Sequence, residues 1–329
     1  MMGPLCLSLV LIPVAAIAGS WLSRIMKRLS LGQQIRDYGP EIHQKKSGTP
    51  TMGGIIILIL WGGSFLIISE LYSLSRQGLF ILLAGLCFGG IGLLDDLISL
   101  LNKRSQGLSP WQKILLGTGI AIVLFIAFPG MTQTPLMVPF SSITIPLSSF
   151  VYLLLTWAIF SITTNSMNLT DGLDGLATGV SIIILTAYLI LFPAGDSGKV
   201  LLPLIGILVG FLWVNFYPAR IFLGDTGSFA LGGVVGALAI ASGTLLFLPL
   251  LAGLLILESA SVVLQVSYFK FTGRRIFKVS PLHHHFEHAI GIDYPYLLPQ
   301  VEWPEPKITL RLWILQALFT GLGILALRL

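Results

Sequence analysis

Four polar clusters in an otherwise apolar chain could do chemistry. Asp95 and Asp96 close one hydrophobic run. Asn165, Asn168, Asp171 and Asp174 follow a second, Asn215 and Asp225 follow a third, and His283, His284 and His285 lie beyond a fourth. A carboxylate placed near hydrocarbon costs several kcal/mol unless a partner meets it. Carboxylates set repeatedly at the same depth therefore read as one polar site at one face of a membrane. The chemistry expected is work on a charged, metal-bound substrate at the lipid surface.

Each cluster has its own logic. Adjacent residues of a helix point about 100° apart, so Asp95 and Asp96 need not share a ligand. One can face a metal or a phosphate-bearing nucleophile while the other orients a basic residue. A solvated helix end is the plainer alternative, but acids at a helix C-terminus oppose the macrodipole. Asn168, Asp171 and Asp174 recur every three residues. On a helical turn they share a face; in a Gly-broken loop they line a pocket, with Gly172 and Gly175 permitting close backbone approach. Asp225 follows Gly224 and has Thr226 and Ser228 close by. That set suits magnesium, which takes one or two carboxylates plus substrate oxygens. It equally suits the N-cap of the next span, and the two roles are compatible. The pattern is not a Walker loop, because GxxxxGK[ST] is absent from the sequence.

The basic candidates are more ambiguous. Lys113 begins a span, and Lys45 and Lys46 precede Gly48-Thr49-Pro50-Thr51-Met52-Gly53-Gly54. Each can neutralise phosphate or simply anchor a span. Three consecutive histidines lack the i,i+4 spacing of a helical zinc site. Imidazoles contacting a diphosphate fit a magnesium enzyme better. Glu258 stands apart, well inside a span, either paired internally or facing a groove. No catalytic role is assigned to it.

These clusters need elements to hold them. The 329 residues are 55% hydrophobic and 10% charged, with mean hydropathy +0.90. Soluble domains run near 25% charged, so the expected fold is an all-α polytopic membrane protein. Ten transmembrane helices are predicted, at 3–23, 52–70, 78–97, 112–129, 150–167, 176–193, 200–216, 228–246, 248–269 and 309–327. They consume most of the chain, so residues 1–329 read as a single integral-membrane domain with its site built from loops and helix ends. The first run precedes Arg24, Lys27 and Arg28 and lacks a positive segment before it, which favours a retained span over a cleaved signal peptide.

With loop 24–51 inside, only Arg76, Lys199 and Arg328 of the 19 basic residues fall outside. This is a strong positive-inside bias. Both termini are then outside, and all four polar clusters land on a cytoplasmic cleft. Segment 130–149 reads as an outside interfacial hairpin built from Leu136–Phe140 and Ile143–Ile145. Cys6 and Cys87 read as small buried hydrophobes. The net charge of +5 borders the spans, which points to anionic headgroups or a phosphorylated substrate and not to nucleic acid.

Taken together, the motifs resemble the polyprenyl-phosphate N-acetylhexosamine-1-phosphate transferase superfamily. The matching segments are Gly39-Pro40-Glu41-Ile42-His43, GTPTMGG at 48–54, Asp95-Asp96, NLTDGLDGLA at 168–177, FLGDTGS at 222–228 and PLHHHFE at 281–287. GTPTMGG and the histidine motif are similar to the muramoyl-pentapeptide branch and not to its GlcNAc-1-phosphate relatives. The resemblance implies a multi-pass enzyme of the bacterial inner membrane, in the lipid bilayer, with a cytoplasmic active site and Mg2+. It implies transfer of phospho-MurNAc-pentapeptide from UDP-MurNAc-pentapeptide to undecaprenyl phosphate, giving lipid I and UMP in peptidoglycan synthesis. A homodimer is compatible with it.

By that resemblance Asp95, Asp96, Asp171, Asp225 and His283 are the catalytic set. Asp225, Asn215 and Asp171 are metal ligands. Lys46, Lys113, Asn165, Asn168, Asp174, Asn215, Phe222, His284 and His285 are substrate-binding. Two alternatives stay open: a superfamily member using UDP-GlcNAc, and a secondary transporter, whose sites lie near the midplane. One departure is visible. Members pass from HHHFE to the Trp-Pro-Glu segment in about half a dozen residues, whereas 15 residues, 288–302, separate Glu287 from Trp303 here. The expectation is that this insertion alters recognition of the peptide or sugar.

Overall fold

The computed structural model describes residues 2–29, 48–72, 75–102, 107–192, 197–288 and 294–328. Lys46 and the Gly39–His43 motif lie outside the described residues. Ten long helices run α1 (Met2–Arg28), α2 (Gly54–Leu71), α3 (Arg76–Leu101), α4 (Pro110–Ala127), α5 (Ser149–Thr170), α6 (Leu176–Leu191), α7 (Ser197–Asn215), α8 (Gly224–Ser242), α9 (Gly253–Thr272) and α10 (Glu305–Arg328). Among the described residues, nine of these are long and apolar enough to cross a membrane. The exception is α6, with 16 residues. At ~1.5 Å per residue it covers ~24 Å, short of a hydrocarbon core of ~30 Å.

The helices keep going where hydropathy stops. α5 extends to Thr170 and carries Asn165 and Asn168 on its last turns, and α3 extends past Asp95 and Asp96 to Leu101. α8 begins at Gly224, so Asp225 lies in its first turn. The ninth span starts later than expected. A 3-10 turn (Leu245–Phe247) and a short helix with Pro249 near its start precede α9, because Gly243 at φ +71° has already ended α8.

α8 is the central post, buried along most of its length and packed chiefly between α3 and α5. Its approach to α3 requires a glycine. A Cβ on Gly92 would stand 2.0 Å from the Asp225 carbonyl oxygen. Hydroxyls on the buried faces bond one turn back, as Thr164 does to the Phe160 carbonyl at 2.7 Å and Thr170 to Ser166 at 2.8 Å, which satisfies these donors inside the apolar interior. Large apolar residues such as Leu9, Ile17 and Trp21 of α1 face outward, as a lipid solvent allows.

The expected hairpin is present: Leu136–Met137 pairs antiparallel with Thr144–Ile145, Leu136 opposite Ile145. The expectation for the cysteines is corrected. Cys6 and Cys87 are both free and exposed on the outer surfaces of α1 and α3. Apolar surroundings mean lipid as readily as core in such a chain.

Candidate active site

The polar ends of α3, α4, α5 and α8 meet at one end of the bundle. A helix start carrying negative charge is favoured by its free N–H groups, and Asp225 takes that place on α8. Its Oδ1 accepts from Asn168 Nδ2 at 2.8 Å, and the same amide donates to Ser228 Oγ at 3.0 Å. Its Oδ2 receives Lys113 Nζ at 2.7 Å. Lys113 Nζ is also 3.1 Å from Asp95 Oδ1.

A lysine in the first turn of a helix opposes the macrodipole. Here the start is set by a capping box, Ser109 with Gln112, and by Pro110 at the first positions. The two carboxylates offset the mismatch. Asp95 Oδ1 additionally accepts the Leu108 N–H at 2.7 Å, which ties the loop before α4 to the site.

The adjacent aspartates divide their work as their angular separation suggests. Asp96 turns from Lys113 to the start of α8. Its Oδ2 accepts the Thr226 N–H at 2.9 Å and the Thr226 hydroxyl at 2.6 Å, and its Oδ1 accepts the Asp225 N–H at 3.3 Å. Asp96 is thus a cap for α8 supplied from another helix, satisfying donors that α8 leaves free. Asp171 sits at the C-terminal cap of α5. Burial raises its carboxyl well above the usual carboxylate range, the Asp225 and Asp96 charges push the same way, and a Gly224 backbone hydrogen bond pulls back.

From this polar mouth a groove of about 430 Å³ runs toward the apolar side chains Phe88, Ile91, Ile114 and Phe229, with Asp95, Lys113, Asn165, Asn168 and Asp225 at its polar end. Asn165 donates to its own helix, to Ser161 O at 2.7 Å.

Other expected site residues hold the frame. Asn215 is buried, with Oδ1 accepting from Thr178 Oγ1 at 2.7 Å and Nδ2 donating to Ile221 O at 3.1 Å. Both ends of its amide are taken up between α6 and the 216–223 loop. Asp174 Oδ2 accepts the Ala219 N–H at 2.9 Å, and its own N–H donates to Glu305 Oε1 at 2.8 Å. Phe222 pairs its backbone with the GTPTMGG segment, donating to Pro50 O at 2.8 Å and accepting from Gly53 N at 2.9 Å. Glu305 was missed from sequence; its signal is an acid in the first turn of a helix.

The histidines differ sharply. His284 Nδ1 is 2.6 Å from Glu287 Oε2. His285 is buried: Nδ1 accepts the Lys278 N–H at 3.1 Å, the ring bonds the Pro299 backbone, and its edge meets Phe277 and Tyr296. Burial, then the Lys278 charge, lowers its pKa. Burial likewise pushes the Lys278 ammonium below its ordinary value, against Glu302 and Glu287. His283 is buried against Glu258, Nδ1 to Oε2 at 3.2 Å.

Among the described residues, no three His, Cys, Asp or Glu side chains form a cluster that could hold a metal by themselves. Asp225 and Asp95, beside amide and hydroxyl groups, instead match what magnesium takes when phosphate oxygens complete its shell.

The sequence matches the glycosyl transferase family 4 model over residues 79–243. It matches a phospho-N-acetylmuramoyl-pentapeptide-transferase signature over 46–58. Curated proteins of that name are similar over almost the whole chain. The protein from Desulforamulus reducens is 41% identical over 95% of this chain and 92% of its own length. That from Heliobacterium modesticaldum is 40% identical over 95% and 94%, and that from Clostridium botulinum Eklund 17B is 38% identical over 99% and 98%.

Proposed function

The chain belongs to the phospho-N-acetylmuramoyl-pentapeptide-transferase family within glycosyl transferase family 4, and from that premise we propose how its site works. The enzyme transfers phospho-MurNAc-pentapeptide from its UDP conjugate to undecaprenyl phosphate, forming lipid I and UMP. The observation that carries this reading is the gathering of Asp95, Lys113, Asn168 and Asp225 at the polar mouth of a groove that also runs along Phe88, Ile91, Ile114 and Phe229. A polyprenyl phosphate has the same two halves. A transporter site would sit near the midplane, whereas these side chains lie at helix ends.

The donor is a diphosphate whose charge repels an incoming phosphate. Asp225, with Asp95, would hold Mg2+; when bound, the ion neutralises phosphate charge and polarises the phosphoryl oxygens. Lys113 supplies a second positive charge at the same place. Asn168 fixes the Asp225 rotamer, and Asp96 fixes the backbone that carries it. Asp95 can take a proton from the acceptor phosphate, whose oxygen bonds to the β-phosphorus as the bond to the α-phosphate oxygen breaks and UMP leaves. The acceptor is already anionic and needs little activation, so one step suffices without an aspartyl intermediate. The site faces the cytoplasm, since the loops that bear it carry most of the Lys and Arg residues.

The test uses purified protein with undecaprenyl phosphate and either donor. UMP and a lipid-linked product should appear in equal amounts from the muramoyl-pentapeptide donor in the presence of Mg2+. Release of UMP from UDP-GlcNAc but not from that donor would overturn the assignment.

A further inference from the structure

Glu258 is a fully buried acid that no part of this mechanism uses. It lies on α9 with no exposed surface, and His283 opposite it is equally buried. One oxygen of the carboxylate, Oε2, takes the His283 backbone N–H at 3.3 Å and lies 3.2 Å from Nδ1 of the ring. The carboxylate thus bonds the histidine main chain and stands beside one edge of its imidazole.

The other edge of the ring points at the Asp171–Gly172 turn. A Cβ built on Gly172 would stand 2.2 Å from His283 Nε2. Only a glycine lets the ring lie so close to the residue that follows Asp171. Among the described residues, Glu258 Oε1 and both ring nitrogens of His283 are buried with no well-aligned hydrogen-bond partner. A buried ion pair contributes little to stability against apolar residues of the same size, so stability alone does not account for an acid here. Orientation does: a carboxylate on one ring nitrogen sets which nitrogen carries the proton and what the other presents.

We propose that Glu258 is a positioning residue for His283. The carboxylate at 3.2 Å would repel a lone pair on Nδ1, so Nδ1 carries the proton. Nε2 is then turned to the Asp171–Gly172 backbone at the edge of the site. The role in turnover rests on the function proposed above; the tautomer does not.

Two measurements test it. In the turnover assay, Glu258→Gln keeps the shape and removes the charge. Loss of an orienting partner typically lowers activity about 10–100-fold. That loss should fall on kcat with donor KM changed less than about threefold, and Glu258→Asp should recover part of it. In a His283→Asn background the same Glu258→Gln change should add less than about threefold. A full additional loss in that background means that Glu258 does not act through His283.

The second measurement is 15N NMR of histidine-labelled native protein, with the His283 signal identified by its absence in His283→Asn. A proton on Nδ1 is expected. A neutral ring protonated on Nε2 overturns the proposal, whatever the protein turns over and even if the Glu258 variants fail to fold.

Discussion

Lys113→Met separates the role of the lysine from that of the acids around it. In the native site Nζ lies 2.7 Å from Asp225 and 3.1 Å from Asp95. At an effective dielectric constant of about 20, those separations correspond to attractions of about 6 and about 5 kcal/mol before desolvation. The Lys113 and Asp225 side chains remain 23% and 25% exposed, so water screens much of this. The net stabilisation lies between a surface pair and a buried one, about 2 kcal/mol. Methionine keeps most of the stem and leaves Asp95 and Asp225 facing each other without their cation.

Two opposite effects follow. A lost cationic contact to a reacting phosphate is worth about 100-fold in turnover or more, so kcat should fall at least that far. The two uncompensated carboxylates should meanwhile hold a divalent ion more tightly, because no ammonium competes for them. Mn2+ titration followed by EPR reads binding directly, and UMP release reads turnover. Turnover within about tenfold of the parent, or weaker Mn2+ binding in Lys113→Met, refutes the reasoning.

The remaining predictions are narrower. Asp225→Ala should abolish Mg2+-dependent turnover while the protein still inserts; near-normal UMP release would remove the metal assignment. Asp96→Asn should melt lower than Asp95→Asn, because an amide cannot accept all three bonds at the start of α8 and charge-assisted bonds are worth about 1.5–3 kcal/mol each; equal midpoints would deny Asp96 its capping role. The folded pKa of His285 is depressed, so its contribution to stability is full above the unfolded value of about 6.5 and lost as pH falls through the folded value. His285→Gln should flatten the drop in thermal midpoint between pH 7.5 and 5.5, and an unchanged slope contradicts that. In a background with Cys6 and Cys87 replaced, Arg220→Cys and Arg274→Cys should resist an impermeant thiol reagent on intact cells while Ser142→Cys reacts; labelling of Arg220→Cys would invert the topology.

What the sequence disclosed follows from what hydrocarbon forbids. A carboxylate at the end of an apolar run is costly, so Asp95, Asp96 and Asp225 stood out one by one, and so did the ten runs that carry them. Direction was not legible. Asn215 and Asp174 are as polar in sequence as Asn168, yet their polar atoms close the frame while Asn168 holds Asp225. Nothing local distinguishes these cases, because the partners come from other helices. Lys113 was ambiguous for a related reason. A lysine at the inner end of a span has a topological explanation already, and only its carboxylate partner 112 positions away shows the other use. Glu258 was visible as an anomaly, but its partner lies beyond the helix, in a turn whose path no periodicity predicts.

The segment 288–302 after the histidines shows the same limit from the other side. Its length suggested altered recognition of the substrate, and length says nothing of where a loop goes. The described part folds back on its own base. Leu297 and Leu298 donate their N–H groups to Arg275 and Ile276 carbonyls at 3.0 Å, and Arg275 stacks on the Tyr294 ring with 4.0 Å to the centroid. The Tyr294 hydroxyl donates to Lys278 O at 2.9 Å, and His285 fills the space between Phe277 and Tyr296. Trp303 then lies flat on Phe286, ring centroids 4.7 Å apart, with Arg311 of α10 over it. The described residues of this segment therefore brace the turn that carries His283. Shortening the segment should disturb the histidines before it disturbs Asp225.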